Sequence, residues 1–187
     1  MSTYGFASDI GSEGTFRGIR LSDPTLMAAT VFPVSAEKLT QRAEACHKEL
    51  LAANVKLTTP PVSRLLLQSI EPTGSKGDRI TGARVTFSFT VEPSDCNTWG
   101  TIHGGCVFTI CNAAGKIATA VVAEGAKNII STDLTTNYLS GVTVGSTVQI
   151  EIECLRTTKS IGFLRGSIKD AKGTLCYVCV QNVSFEL

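Results

Sequence analysis

Residues 104–123 are apolar on nearly every side of a helix, and this run limits the possible folds of the chain more than any other feature. Helical spacing aligns one wide apolar stripe along it, made of Val107, Ile110, Cys111, Ala114, Ile117, Ala118 and Val121. A helix of this kind is buried in a protein core or in a membrane. Asn112 and Lys116 interrupt the run, which falls short of the roughly 20 clean apolar residues of a membrane span. We therefore expect a helix enclosed by the rest of the protein, with no membrane span.

The segments around this helix alternate apolar and polar residues with a period of two, which is typical of strands with one buried face. In residues 83–92, for example, Val85, Phe87 and Phe89 alternate with polar neighbours. The strand candidates are 64–71, 83–92, 128–139, 146–155, 161–170 and 174–187, with a turn at 72–78. The fold class predicted is α+β, with a long central helix wrapped by a curved antiparallel sheet of five or six strands.

The first third of the chain has a different pattern. Residues 1–34 are rich in Gly, Ser and Thr without a sustained period, and we expect an N-terminal arm there. From Ser35, a plausible N-cap, an amphipathic helix begins, and its apolar face contains Leu39, Ala43, Cys46, Leu50 and Ala53. The expected organisation is an arm over 1–34, an extra N-terminal helix and linker over 35–62, and the main domain over 63–187.

Composition excludes several classes of function. Of 187 residues 43% are hydrophobic and 18% charged, and the net charge of +1 gives no electrostatic reason to expect a nucleic-acid partner. The seven cysteines lie mostly in apolar runs, Cys176 and Cys179 included, and we interpret them as core residues rather than as disulfides or metal ligands. We expect no metal and no cofactor. The first residues have no basic or apolar leader pattern, so the expected location is cytoplasmic.

The start of the central helix carries the first chemical signal, the tripeptide His103, Gly104 and Gly105. Glycines before a helix allow a tight turn and leave the first helical N–H groups free, and these groups attract negative charge together with the helix dipole. An oxyanion that forms on a carbonyl fits such a place. The tripeptide alone is more often a simple strand-to-helix turn with a structural histidine.

A longer pattern is more specific. Asn97, Gly100, His103, Gly104 and Gly105 give N-x-x-G-x-x-H-G-G, followed by the apolar helix and then by the segment DLTTNYLS. This combination resembles the hotdog-fold acyl-CoA thioesterases of the phenylacetate-pathway type, over roughly residues 63–187. The resemblance implies a hotdog fold, hydrolysis of an acyl-CoA or acyl-carrier-protein thioester, and active sites formed between the subunits of a homodimer or homotetramer.

The resemblance also implies roles for single residues. Asn97 would orient the catalytic water or carboxylate, and His103 would fix the loop around the thioester. The N–H of Gly104 would polarise the thioester carbonyl, and Ser131 would position water.

Three further residues are implied to bind the substrate. Gly105 belongs to the same helix start as Gly104. Arg156 and Lys159 lie in the segment 156–163, which matches the loop that meets the CoA nucleotide, and they would contact its phosphates.

Asn112 departs from the family pattern, because the position nine residues after the histidine is normally an aspartate that acts as base or nucleophile. An amide cannot take a proton from water near neutral pH. Three explanations stay open. Asn112 is an introduced substitution, or it is native in a protein that binds a thioester or a polyketide-like product without hydrolysing it, or another base such as Cys111 or Asp133 replaces the carboxylate. A purely structural dimerisation module is the non-enzymatic alternative.

Overall fold

The computed structural model describes residues 34–53 and 59–187. Its elements in chain order are α1 (Ala36–Ala52), α2 (Thr59–Ser63), β1 (Leu66–Lys76), β2 (Arg79–Thr90), a 3-10 turn (Pro93–Asp95), α3 (Gly104–Val122), β3 (Lys127–Tyr138), β4 (Thr147–Thr157), β5 (Ile161–Lys169) and β6 (Leu175–Glu186). Of the arm expected over 1–34, residues 1–33 lie outside the described part of the chain, as do residues 54–58 of the expected linker.

The six strands form one sheet in the order β1-β2-β4-β5-β6-β3, and every neighbouring pair is antiparallel. The predicted α+β class, with a central helix, an antiparallel sheet and an extra N-terminal helix, is confirmed. The turn expected at 72–78 is wrong in extent: β1 continues to Lys76, and the chain reverses at Gly77, whose φ is +58°. Pairing with β2 holds this polar stretch as a strand through two register shifts, at Pro72/Gly74 and Gly74/Ser75.

Helix α3 is enclosed by the sheet. Val107, Ile110, Ala114, Ala118 and Val121 are each at most 1% exposed, and they pack in one core with inward-facing residues of β2 and β4. By length and composition alone α3 could cross a bilayer, and it is the one helix of the described residues that could. Because 67% of its most apolar window is buried inside the protein, its apolar character matches its place in this core.

Helix α1 packs against the far end of α3. Ser35 accepts a hydrogen bond from the N–H of Lys38 and is the N-cap, as predicted. Leu39, Ala43 and Cys46 are buried. Ala53 is exposed, so the predicted apolar face stops short of the C-terminal end of the helix.

A polar clamp joins the two helices. Arg42 Nη1 donates to the carbonyl of Val121 (3.0 Å), and Arg42 Nη2 lies 2.7 Å from a carboxylate oxygen of Glu124. The C-terminal carbonyls of a helix carry partial negative charge, which a cation stabilises. The clamp therefore holds α1 over the last turn of α3.

If α1 is part of the core, replacing Leu39 by Ala should destabilise the whole protein. Leu39 is 1% exposed, and a Leu→Ala change at such a site lowers the free energy of unfolding by about 3 kcal/mol. Urea unfolding followed by circular dichroism measures this change. Glu44→Ala, at an exposed position of the same helix, is the matched control, and equal stability of the two variants would contradict the docking of α1.

Candidate functional site

An ion pair fixes the loop that leads into α3. Arg64 Nη1 and Nη2 donate to the two carboxylate oxygens of Asp95, at 2.8 and 2.5 Å, and the N–H of Glu92 also donates to Asp95 (2.8 Å). The carbonyl oxygen of Asp95 accepts from the N–H of His103 (2.7 Å). Since Asp95 is only 5% exposed, this bidentate pair anchors both the 3-10 turn and the residue before α3.

The environment of Asp95 changes the pKa of its carboxyl group. Burial alone raises the pKa of the carboxyl, but the hydrogen bonds from Arg64 and from the N–H of Glu92, with the charge of Arg64, outweigh it. The pKa of Asp95 therefore lies below its ordinary value, and Asp95 remains a carboxylate at neutral pH.

Asn97 organises the loop between this anchor and α3. Its Oδ1 accepts from the N–H of Trp99 (3.0 Å) and of Thr101 (3.3 Å), and its Nδ2 donates to Thr101 Oγ1 (3.0 Å). Gly100, with φ at +72°, makes the tight turn that these bonds require. The Asn97 side chain thus makes its hydrogen bonds inside its own loop in this chain.

His103 caps α3, and its cap determines which helix-start donors are available. The ring Nδ1 accepts from the N–H of Gly105 (2.9 Å), so the neutral ring carries its proton on Nε2. The N–H of Gly105 is thereby occupied. Within the described residues the N–H of Gly104 has no acceptor, and Tyr138 Oη donates to the Gly104 carbonyl from the end of β3 (3.0 Å). Asn97, His103 and Gly104 together form what we term the helix-start group.

A second cluster lies further along α3, where Asn112 meets Ser131 of β3 and Gln181 of β6. Ser131 Oγ donates to Asn112 Oδ1 in a short hydrogen bond. Gln181 Nε2 donates to Ser131 Oγ (2.6 Å) and lies 3.3 Å from Asn112 Oδ1 and 3.4 Å from the Asn112 carbonyl. We term Asn112, Ser131 and Gln181 the amide cluster.

The sequence reasoning missed Gln181. It is 2% exposed and lies on the inward face of β6, between Cys179 and Val183, which are also buried. Its one sequence signal is a lone amide at an inward position of an otherwise apolar strand. Such a residue needs a buried polar partner, because an unpaired buried amide is costly.

The two groups do not meet within one chain. Gly104 and Asn112 lie on the same helix, and the helical rise of about 1.5 Å per residue separates them by about 12 Å. A reacting carbonyl must lie within about 3 Å of both its oxyanion donor and its attacking group. Within one chain the two groups are therefore too far apart to act on the same carbonyl.

Neither alternative base takes the place of a carboxylate at position 112. Ser131 pairs with Val183 and Asp133 with Asn182, so the strand contains a bulge between them. Because of this bulge Asp133 points away from the face that carries Ser131. Cys111 is fully buried, and its hydrogen bond to Cys179 together with burial raises the pKa of its thiol well above the ordinary value.

Arg156 and Lys159 are exposed at the end of β4 and in the turn that follows. Lys159 lines a cleft of about 240 Å³ with Lys76 and Arg79 from the β1–β2 hairpin. The side chains that line this cleft include three cations and no carboxylate. Arg156 does not line it. Across residues 34–53 and 59–187, no group of three or more His, Cys, Asp or Glu residues is arranged to hold a metal ion.

Solved structures similar to this chain share its fold. Zebra fish thioesterase superfamily member 2 superposes with a TM-score of 0.62 at 20% identity, over 81% of this chain and 98% of that one. The PaaI protein of the phenylacetic acid degradation operon of E. coli gives 0.60 at 14% identity, over 79% and 95%. A Streptococcus mutans protein bound to acetyl CoA gives 0.54 at 17% identity, over 65% and 87%.

These superpositions define the fold as the hotdog fold, as the resemblance predicted. The thioesterase superfamily model matches residues 100–177, from the loop before α3 to the start of β6. Over this stretch the chain is similar to the thioesterase superfamily, and the solved structures show that it shares the fold. The share aligned with the zebra fish protein exceeds the stretch 63–187, so the likeness also includes part of the region before residue 63. No curated protein matches the sequence.

Breaking the Arg64–Asp95 pair should destabilise the loop and the protein. Asp95→Asn removes the carboxylate charge that Arg64 binds in a bidentate pair and leaves the guanidinium only the exposed Glu92, 3.3 Å away, as a counter-charge. It should lower the free energy of unfolding by about 2 kcal/mol near neutral pH. The pKa of Asp95 is depressed in the folded state, so the pair stabilises above the unfolded pKa of about 4 and loses this effect as the pH falls through the folded pKa.

Urea unfolding near neutral pH and again at increasingly acidic pH should therefore show the difference between wild type and Asp95→Asn shrinking on acidification. Asp78→Asn, at an exposed position of the β1–β2 hairpin, is the control. A constant difference across this pH range would show that the carboxylate charge is not what stabilises the loop.

Proposed function

We propose that this protein is an acyl-CoA or acyl-carrier thioester hydrolase of the hotdog type, in which Asn112 occupies the place of the catalytic carboxylate. The observation that carries the proposal is the helix-start group, where Gly104 presents, at the positive end of α3, an N–H with no acceptor in the described part of the chain. This donor and the helix dipole stabilise negative charge on a thioester carbonyl oxygen. The His103 cap prevents Gly105 from competing for the same oxygen.

The cleft between the β1–β2 hairpin and the β4–β5 turn supports CoA as the carrier. Lys76, Arg79 and Lys159 match the charge of the CoA phosphates, and Arg156 lies three residues before Lys159. A structural neighbour, the Streptococcus mutans protein, binds acetyl CoA. The thioester carbonyl would then bind at the helix-start group, and the nucleotide phosphates would bind at this separate cleft.

A complete site requires two copies of the chain, because the helix-start group and the amide cluster lie about 12 Å apart on α3. An antiparallel, two-fold related α3 would place the helix-start group of one protomer beside the amide cluster of the other. β3 is the edge strand of the sheet next to this cluster, with Ile130 59% and Tyr138 53% exposed. An open edge of this kind is a ready pairing surface. We accordingly propose a homodimer, or a homotetramer of two such dimers.

In the proposed reaction, the Gly104 N–H polarises the thioester carbonyl, and Ser131 of the other protomer holds the attacking water. Asn112 cannot accept the proton of that water. General-base catalysis contributes about 10²- to 10⁴-fold to the rate of such steps. Without it, carbonyl polarisation and substrate positioning are the remaining contributions, so hydrolysis should be slow.

A non-hydrolytic function is the second candidate: binding of a thioester, or of a polyketide-like product, with a different reaction or none. The amide cluster favours it, because Asn112 Oδ1 already accepts from Ser131 and lies within reach of Gln181. Asn112 Oδ1 is therefore satisfied as it stands, without a charged base.

Restoring the carboxylate separates these candidates. Asn112→Asp should raise kcat/KM on a panel of acyl-CoA and acyl-carrier thioesters about 100-fold or more, since it supplies the missing base. Thiol release is the measurement. Gln149→Glu, which adds a carboxylate at an exposed position of β4, is the control and should leave the rate unchanged.

Other outcomes are equally informative. Binding of CoA thioesters without any gain from Asn112→Asp would favour the non-hydrolytic candidate. No binding of any thioester would refute both and leave the structural dimerisation module.

A further inference from the structure

We propose that Gln181 is a positioning residue that fixes the side-chain amide of Asn112, so that position 112 offers N–H donors, and no acceptor, to the acyl ligand. The identity of the ligand rests on the function proposed above. The orientation of the amide follows from the hydrogen bonds of the amide cluster alone.

The main-chain carbonyl of Asn112 determines the orientation of Gln181. This carbonyl can only accept, so the Gln181 atom that faces it at 3.4 Å must be the NH₂ group. The same NH₂ group then donates to Ser131 Oγ at 2.6 Å. Ser131 Oγ can accept there and still donate its own hydrogen, and Asn112 Oδ1 is the atom that receives it.

The opposite orientation of the Asn112 amide is disfavoured. It would place the Asn112 NH₂ group about 3.3 Å from the Gln181 NH₂ group, with two donors facing each other. The Nδ2 of Asn112 is therefore directed away from Ser131 and Gln181. Asn112 is half-buried, so its two N–H groups remain accessible to a ligand.

Packing holds Gln181 in this orientation. The side chain lies against Gly115, and a Cβ at position 115 would come within 1.8 Å of Gln181 Oε1. Within the described residues Oε1 has no donor partner, and it is buried. Gly115 thus makes the space that brings the Gln181 amide against the carbonyl of Asn112.

The consequence is a site of defined polarity. An N–H donor at position 112 pairs with an acceptor such as the carbonyl oxygen of the acyl group. It does not withdraw a proton from water. If a carboxylate stood at position 112, the same Ser131 and Gln181 donors would stabilise its charged form, so Gln181 would serve either residue type.

The first test measures the effect of Gln181 on the group at position 112 in the absence of any substrate. In the Asn112→Asp variant, the pKa of the introduced carboxyl is measured by carbon-13 NMR titration, alone and with Gln181→Met added. Met fills a similar volume but has no N–H, so the pKa should be about one unit higher in the double variant. Lys116, one turn along α3, is present in both variants and acts on both alike.

The same pKa in both variants would overturn the proposal. Gly115→Ala in place of Gln181→Met is the second route, because its methyl group must displace the Gln181 amide, and it should raise the pKa in the same direction. Gln149→Met, at an exposed position of β4, is the control and should leave the pKa unchanged.

The second test measures how strongly the site prefers a ligand that carries a hydrogen-bond acceptor. Calorimetry compares acetonyl-CoA, which carries a carbonyl, with isobutyl-CoA, a thioether of the same shape without one, on the protein with Asn112 unchanged. Gln181→Met should reduce the preference for acetonyl-CoA by about tenfold, because a fixed donor is lost. An unchanged preference would contradict the proposal. If neither ligand binds the unsubstituted protein, the proposed function fails, while the titration still decides the role of Gln181.

Discussion

The burial of α3 inside the curved sheet is the constraint on which the rest of the structure depends. A helix apolar on almost every side has a stable place only where other elements surround it, and here β2 and β4 to β6 supply that surrounding with their inward residues. Once α3 is enclosed, its polar positions have fixed neighbours. Its first residue lies beside Tyr138, and Asn112 lies beside Ser131 and Gln181.

The chemistry of the protein follows from the way these polar positions are satisfied. At the helix start the His103 cap occupies one N–H, and that of Gly104 has no acceptor among residues 34–53 and 59–187, while the Arg64–Asp95 pair holds the preceding residue in place. At position 112 the donors of Ser131 and Gln181 turn the amide in one direction. Both parts of the site therefore present N–H groups, which suits the recognition of a carbonyl oxygen better than the activation of water.

Sequence periodicity predicted most of the fold, because an element buried on one face or on all faces has a regular spacing of apolar residues. The limits of α3 and of β3 to β6 were predicted to within two residues for this reason. The extension of β1 to Lys76 was not predicted, since cross-strand pairing overrides the turn composition of that segment.

Prediction of the site was less complete, because it depends on register and on single contacts. The bulge between Ser131 and Asp133 moves Asp133 to the other face of the sheet, and the local sequence pattern does not predict this bulge. Gln181 enters the site from a strand about 70 residues away from Asn112 along the chain. The family pattern identified the helix-start residues, and the spacing of Gly104 and Asn112 on one helix already indicates that they are too far apart to act within one chain.

The proposed site requires two copies of the chain to hold one thioester, with Gly104 of one protomer and Asn112 of the other on the same carbonyl region. A crystal structure of the protein with acetonyl-CoA tests this arrangement. The ketone oxygen is expected within about 3 Å of the Gly104 N–H of one protomer, with Asn112 Nδ2 of the second protomer facing the same acyl group. A ligand held by one protomer alone, or an Asn112 side chain with Oδ1 toward the ligand, would contradict it.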